Sequence, residues 1–223
     1  MRELRPGLWH WKAPHPDWRP SEPWDQNVSS YAIDDGERLL LFDPIELPSE
    51  IEQFAAERET AVVLTAPWHE RGTQDLVERL GVPVYTPLPD SAEYLVQTYG
   101  ITAEQAGEGS PDVVWLLKEG KGEARPYAAG DRLDVGVEAF PGQKPNDMVL
   151  WVESHRAVVA GDTLVDFGDG LEMNERWLQL QKASREQVVE RLRPLLELPV
   201  EHVLAAHGGP FERADLERAL SSS

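Results

Sequence analysis

Residues 61–76, AVVLTAPWHERGTQDL, constrain the fold of this chain more than any other stretch. Residues 61–64 form a short β-branched run that reads as a buried strand. Gly72 and Thr73 then punctuate the chain, and Leu76, Val77 and Leu80 fall on one helical face, with Thr73 as the expected N-cap. Residues 67–71 therefore occupy a loop between the C-terminal end of a strand and the start of a helix. That is where α/β folds place ligands and chemistry.

A chain of 223 residues is long enough for one domain with a large core, and residues 1–223 are expected to form one. Its net charge of −19 is spread along the chain, which argues against nucleic acid as a partner, because phosphate binding needs a concentrated basic face. With no cysteine, disulfides, thiolate ligands and a Cys nucleophile are excluded, and any metal must be held by His, Asp and Glu. The N-terminal MRELRPGLWHWKAP carries charge throughout and lacks the apolar core of a secretory signal. No stretch approaches the roughly 18 apolar residues of a membrane span. The expectation is a cytoplasmic protein whose partner is a small molecule, not a membrane.

Residues 4–11 read as a first strand. In the following KAPHPDWRPSEPWDQ, Pro14, Pro16, Pro20 and Pro23 are interleaved with Trp18 and Trp24, and this forbids regular structure. Aromatics on so stiff a loop either plug a core or overhang a pocket. Residues 27–33 and 38–42 read as strands around the Asp34-Asp35-Gly36 turn, Ser49–Glu57 as a helix, and residues 82–85 as a further strand. This alternation places helices outside a sheet. Residues 86–130 read as an insert with a helix at 91–99, a Gly/Glu-rich loop at 106–110 and an apolar run at 113–117, and form either a lid or a peripheral elaboration. Residues 132–140, 148–152 and 157–159 read as strands, and 184–196 as an amphipathic helix with Ser184 and Gln187 spaced for a capping box. Residues 200–205 form a last strand and 211–220 a closing helix, ahead of a terminal run of three serines. The chain has no G-x-S-x-G elbow, P-loop or strand-coupled G-x-G-x-x-G.

Five segments, FDP, TAPWHER, PGQKPND, AGDT and AAHGG, resemble in order and spacing the metallo-β-lactamase superfamily. The resemblance covers nearly the whole chain and implies an α+β fold, a four-layer αββα sandwich. Within the superfamily's T-H-x-H-x-D-H metal loop, Thr65 matches the threonine, Ala66 and Trp68 stand where the first two histidines belong, Glu70 where the aspartate belongs, and Arg71 where the last histidine belongs. His69 falls on the variable position. Gln143 replaces the histidine of P-G-H, Asp162 matches the metal-bridging aspartate, and His207 matches the final histidine.

In that family two zinc ions lower the pKa of a bridging water for hydrolysis of esters, thioesters or lactams. Here Ala66, Trp68 and Gln143 offer no imidazole, so the resemblance implies that the first metal site is gone. At the second, Glu70, Asp162 and His207 would hold at most one divalent metal such as zinc. Arg71, a fixed cation, would instead replace that metal by forking to the two carboxylates, leaving no cofactor. If the centre is catalytic, Glu70, Arg71, Asp162 and His207 carry it, with His207 or Glu70 as general base and Arg71 or Lys144 as electrostatic stabiliser. Trp68, Gln143, Lys144 and His69 are the candidate substrate-binding residues, although His69 also reads as turned away and capping the helix. His10 and His15 are candidate replacement ligands on the Pro/Trp loop, whereas His155 and His202 read as structural. The resemblance thus implies a hydrolase-like protein with a degenerate metal centre, or alternatively a non-catalytic protein that binds a small molecule in the old cleft.

Overall fold

Alternation along the strands builds two sheets that face each other, as a computed structural model describing residues 1–221 shows. Ser222 and Ser223, the end of the terminal serine run and of the expected domain, lie outside the described residues. The first sheet starts with β1 (Arg2–Arg5), β2 (Leu8–Pro14), β3 (Asn27–Asp34) and β4 (Leu39–Phe42), paired antiparallel in that order. Helix α1 (Ser49–Glu57) leads to β5 (Thr60–Val63), and α2 (Thr73–Leu80) to β6 (Val84–Pro87). The short helices α3 (Ala92–Tyr99), α4 (Ala103–Ala106) and α5 (Val114–Leu117) then precede β7 (Ala124–Tyr127). Strands β5, β6 and β7 extend the sheet in parallel beside β4, giving seven strands in sequence order.

The second sheet holds β8 (Val137–Pro141), β9 (Met148–Val152) and β10 (Ala157–Gly161), followed by the helices α6 (Glu175–Leu180) and α7 (Arg185–Leu192). Strands β11 (His202–Ala205) and β12 (Pro210–Glu212) and helix α8 (Arg213–Ser221) complete the chain. The order is β12-β11-β10-β9-β8, with β10 and β11 parallel and the other pairs antiparallel.

The side-chain period of two sorts each strand between layers. Leu40 and Phe42 of β4, with Ala61 and Val63 of β5, meet Leu150, Val152 and Val159 between the sheets. Leu39, Leu41 and Val62 face outward onto Ile51 of α1, Leu76 of α2 and Leu116 of α5. On the other side Val149, Val158 and Val203 pack under Leu178, Val188 and Leu216 of α6, α7 and α8. The result is helices, sheet, sheet, helices: an αββα sandwich. Among the described residues no helix is long and apolar enough to cross a membrane.

Several boundaries differ from the sequence reading. The expected strand at 4–11 is two strands of a hairpin, broken at Pro6-Gly7, where Gly7 has φ +81° and its carbonyl accepts from the Asp34 N–H at 2.8 Å. Residues 132–136 are not part of the strand at 137–141; they fold back so that Arg132 bridges Glu138. The apolar run at 113–117, for which the sequence reading assigned no element, contains a helical turn over Val114–Leu117. Gly72, not Thr73, precedes α2, and the Thr73 hydroxyl is buried without a partner.

Candidate functional site

The strand ends of both sheets bring Asp43, Thr65, His69, Asp162 and His207 together. Asp43 follows β4, and its carboxylate accepts from the Thr65 N–H (2.8 Å) and the Thr65 hydroxyl (2.6 Å). Pro67 starts a 3₁₀ turn over Pro67–His69 that swings His69 inward. His69 is 2% exposed and spans two carboxylates. Its Nδ1 lies 3.0 Å from Asp43 Oδ2 and its Nε2 lies 3.2 Å from Asp162 Oδ1. This corrects the reading of His69 as a helix cap turned away: the 3₁₀ turn places it at the centre, between the two carboxylates and on the lining of the cleft.

Electrostatics fit this geometry. Burial alone would push His69 down, but Asp162 and Asp43 outweigh it and raise the imidazole to about 9. Asp162 is held well below the usual carboxylate range: burial opposes ionisation, and His69 and His207 override it. An imidazolium between two carboxylates is the resulting charge state. His207 Nε2 approaches the same Asp162 Oδ1 at 3.4 Å, while burial pushes His207 below its ordinary value and keeps it neutral.

Trp68 completes the aspartate's surroundings. Its indole N–H donates to Asp162 Oδ2 at 2.9 Å, and Lys144 Nζ sits 4.1 Å from the ring centroid, paired with Asp90 at 2.8 Å. Gln143 donates to the Asp162 backbone carbonyl at 3.1 Å. Lys144 and Gln143 therefore lie behind the cleft wall and line a neighbouring cavity, which corrects their assignment to stabilisation and substrate binding. Both side chains are spent on holding Trp68 and Asp162.

Glu70 is a second correction. Its carboxylate turns to the segment before β7 and accepts from the Val113 N–H (2.9 Å) and the Trp115 indole N–H (2.5 Å). It lines the cleft rim but does not join Asp162 and His207, so the ligand set Glu70, Asp162 and His207 is not assembled. Arg71 is the third. No carboxylate of Glu70 or Asp162 forks to it, and its Nε and Nη1 are buried without a hydrogen-bond partner. Burial lowers its pKa against the opposing pull of Asp43 and Asp162. Asp43, Arg71 and Val113 all hold positive φ (45°, 33° and 50°), so three strained non-glycine backbones surround this site.

The cleft has a volume of about 510 Å³. Trp24, Trp68, Trp115 and Trp177 line it together with Arg71 and His207. The Pro/Trp loop thus overhangs the pocket, with Trp24 edge-on to His207 at 4.8 Å while also packing on Ala13, Val28 and Ile45. His15 lines the cleft as well; His10 lies on β2, stacked on Tyr31 and bonded to Ser29, and cannot reach it. His155 is buried beside Pro6, whose carbonyl lies 3.2 Å from its Nε2. Asp43, Trp115 and Trp177 were missed from sequence. Only Asp43 had a signal, as the one acidic residue of LLLFDP.

These residues do not fit the family's metal centre. Ala66 has no donor atom, Trp68 and Gln143 present N–H groups toward Asp162, and His69 Nε2 faces the remaining Asp162 oxygen at 3.2 Å. Among the described residues no group of three or more His, Asp and Glu side chains converges as a metal would require.

No protein-family model matches the chain, and no curated protein matches it significantly. Solved structures do. TTHA1623, crystallised in a di-iron-bound form, is 24% identical over 86% of this chain and 93% of its own, with a TM-score of 0.55. A metallo-β-lactamase from Erythrobacter litoralis is 15% identical over 98% and 93%, with a TM-score of 0.60. The DIM-1 metallo-β-lactamase is 13% identical over 99% and 94%, with a TM-score of 0.61. The chain has the metallo-β-lactamase fold.

Proposed function

We propose that this chain is a metallo-β-lactamase-fold protein whose metal centre has given way to protein groups alone, and that its cleft binds a small molecule. The observation that carries this reading is His69 between Asp43 and Asp162, with the Trp68 N–H on the remaining Asp162 oxygen. A cation already sits where the bridging aspartate would need a metal, and the indole fills the adjoining volume. Protein purified without chelator is expected to carry far less than one equivalent of zinc by native mass spectrometry. Two tightly held equivalents would overturn the reading.

A hydrolase-like activity on an ester, thioester or lactam is the second reading, and His207 favours it. This imidazole is neutral, lines the cleft and is oriented by Asp162, as a general base needs to be. Its test is turnover of an ester and thioester series. Activity lost in His207→Ala with the melting temperature unchanged supports it, and activity untouched by that substitution removes His207 from the chemistry.

A further inference from the structure

We propose that the cleft takes a small zwitterion, with its carboxylate against Arg71 and its cationic group among the tryptophans and acidic rim. This rests on the metal-free reading above and names the ligand class for the same site.

Arg71 supplies the anion-binding pole. It lines the cleft, yet two of its nitrogens are buried and bonded to nothing. The nearby carboxylates do not satisfy it: Nε and Nη1 donate to neither Asp43 nor Asp162. Both Asp43 oxygens accept from Thr65, one of them also lies on His69, and Asp162 Oδ2 accepts from Trp68; Asp162 Oδ1 faces the Nε2 atoms of His69 and His207 at 3.2 and 3.4 Å without a hydrogen bond. A buried donor without an acceptor is costly, and a planar guanidinium matches a carboxylate two bonds at a time. A ligand carboxylate brought to this face is the acceptor that the protein does not provide.

The opposite pole lies at the rim. Asp17, Glu70 and Asp112 line the cleft, and among the described residues Arg71 is the only Lys or Arg that does. Four indoles share that wall, and aromatic faces attract cations. In a chain of net charge −19 the mouth draws cations and repels dianions. A simple anion satisfies Arg71 but meets the acidic rim, and a simple cation satisfies the rim but leaves Arg71 orphaned. A zwitterion satisfies both, and a volume of about 510 Å³ suits a body the size of one aromatic ring with two substituents.

Isothermal titration of the intact, chelator-treated chain with a zwitterion and its two halves tests this: 4-(trimethylammonio)benzoate, benzoate and phenyltrimethylammonium. The zwitterion is expected to bind at least about tenfold tighter than either half. Arg71→Met should bring the zwitterion down to the level of phenyltrimethylammonium while the protein melts no lower than the parent, since the substitution removes an unpartnered buried charge. Arg71→Lys, which keeps the charge and loses the fork, should recover part of the gain. Benzoate or phenyltrimethylammonium binding as tightly as the zwitterion overturns the two-pole assignment, as does an unchanged affinity in Arg71→Met. Failure of all three probes in zinc-free protein overturns the ligand class alone. Binding that appears only when zinc is added overturns the metal-free reading and the inference with it.

Discussion

His69→Ala is expected to destabilise the fold by about 3–5 kcal/mol and to remove most of its sensitivity to alkaline pH. Asp43 and Asp162 are 3% and 9% exposed, so removing the imidazolium leaves two buried carboxylates with no cation bonded to either, since Arg71 Nε and Nη1 have no hydrogen-bond partner. The sign of the pH effect follows from the shift. His69 is raised from 6.5 to about 9 on folding. Its contribution is therefore complete below about pH 6.5 and lost as pH rises through about 9, amounting to about 3 kcal/mol over that window. Asp162 works in the opposite direction. Its lowered pKa contributes stability above the ordinary carboxylate range that is lost as acid titrates the folded form. Urea unfolding across both limbs checks the prediction. The parent should lose stability between neutral pH and pH 9, and His69→Ala should be flat there. A cost below about 1 kcal/mol, the range of exposed ion pairs, would show that water already screens this chain of charges.

Local signals in the sequence specified most elements. The apolar spacing of Ser49–Glu57 and Thr73–Leu80 gave helices with those bounds, and the Ser184/Gln187 capping box formed with both bonds. Those features depend on residues a few positions apart. The site was legible only as a set of positions, because the direction of each side chain depends on partners far along the chain. Glu70 turns to Trp115, 45 residues on, and Trp68 finds Asp162, 94 residues on. His69 illustrates the limit best. It occupies the variable position of the motif, and a 3₁₀ turn initiated by Pro67 gives it the central place. The motif compares residue types at fixed offsets, and the turn changes which offset points inward.

Trp68→Ala is expected to cost about 4 kcal/mol, in the range for truncating a large aromatic side chain, and Trp68→Phe about 2 kcal/mol, the worth of a hydrogen bond to a charged group. Two roles converge on this half-buried ring. Its body fills the space beside Asp162 and carries the Lys144 ammonium at 4.1 Å from its centroid. Its N–H satisfies Asp162 Oδ2 at 2.9 Å. Phenylalanine keeps the body and a face for Lys144, and loses only the donor, so the difference between the variants measures packing and the Phe variant measures the bond. Lys144→Met in both backgrounds isolates the cation–ring contribution, with an expected coupling of about 1 kcal/mol. Denaturant unfolding at neutral pH gives all four numbers. If Trp68→Phe proves neutral, Asp162 finds its second donor elsewhere, and the indole is a plug and not a substitute for a ligand. A Phe variant as unstable as the Ala variant would mean that the N–H carries nearly the whole effect. The protein would then be holding Asp162 chiefly with one neutral donor beside one imidazolium.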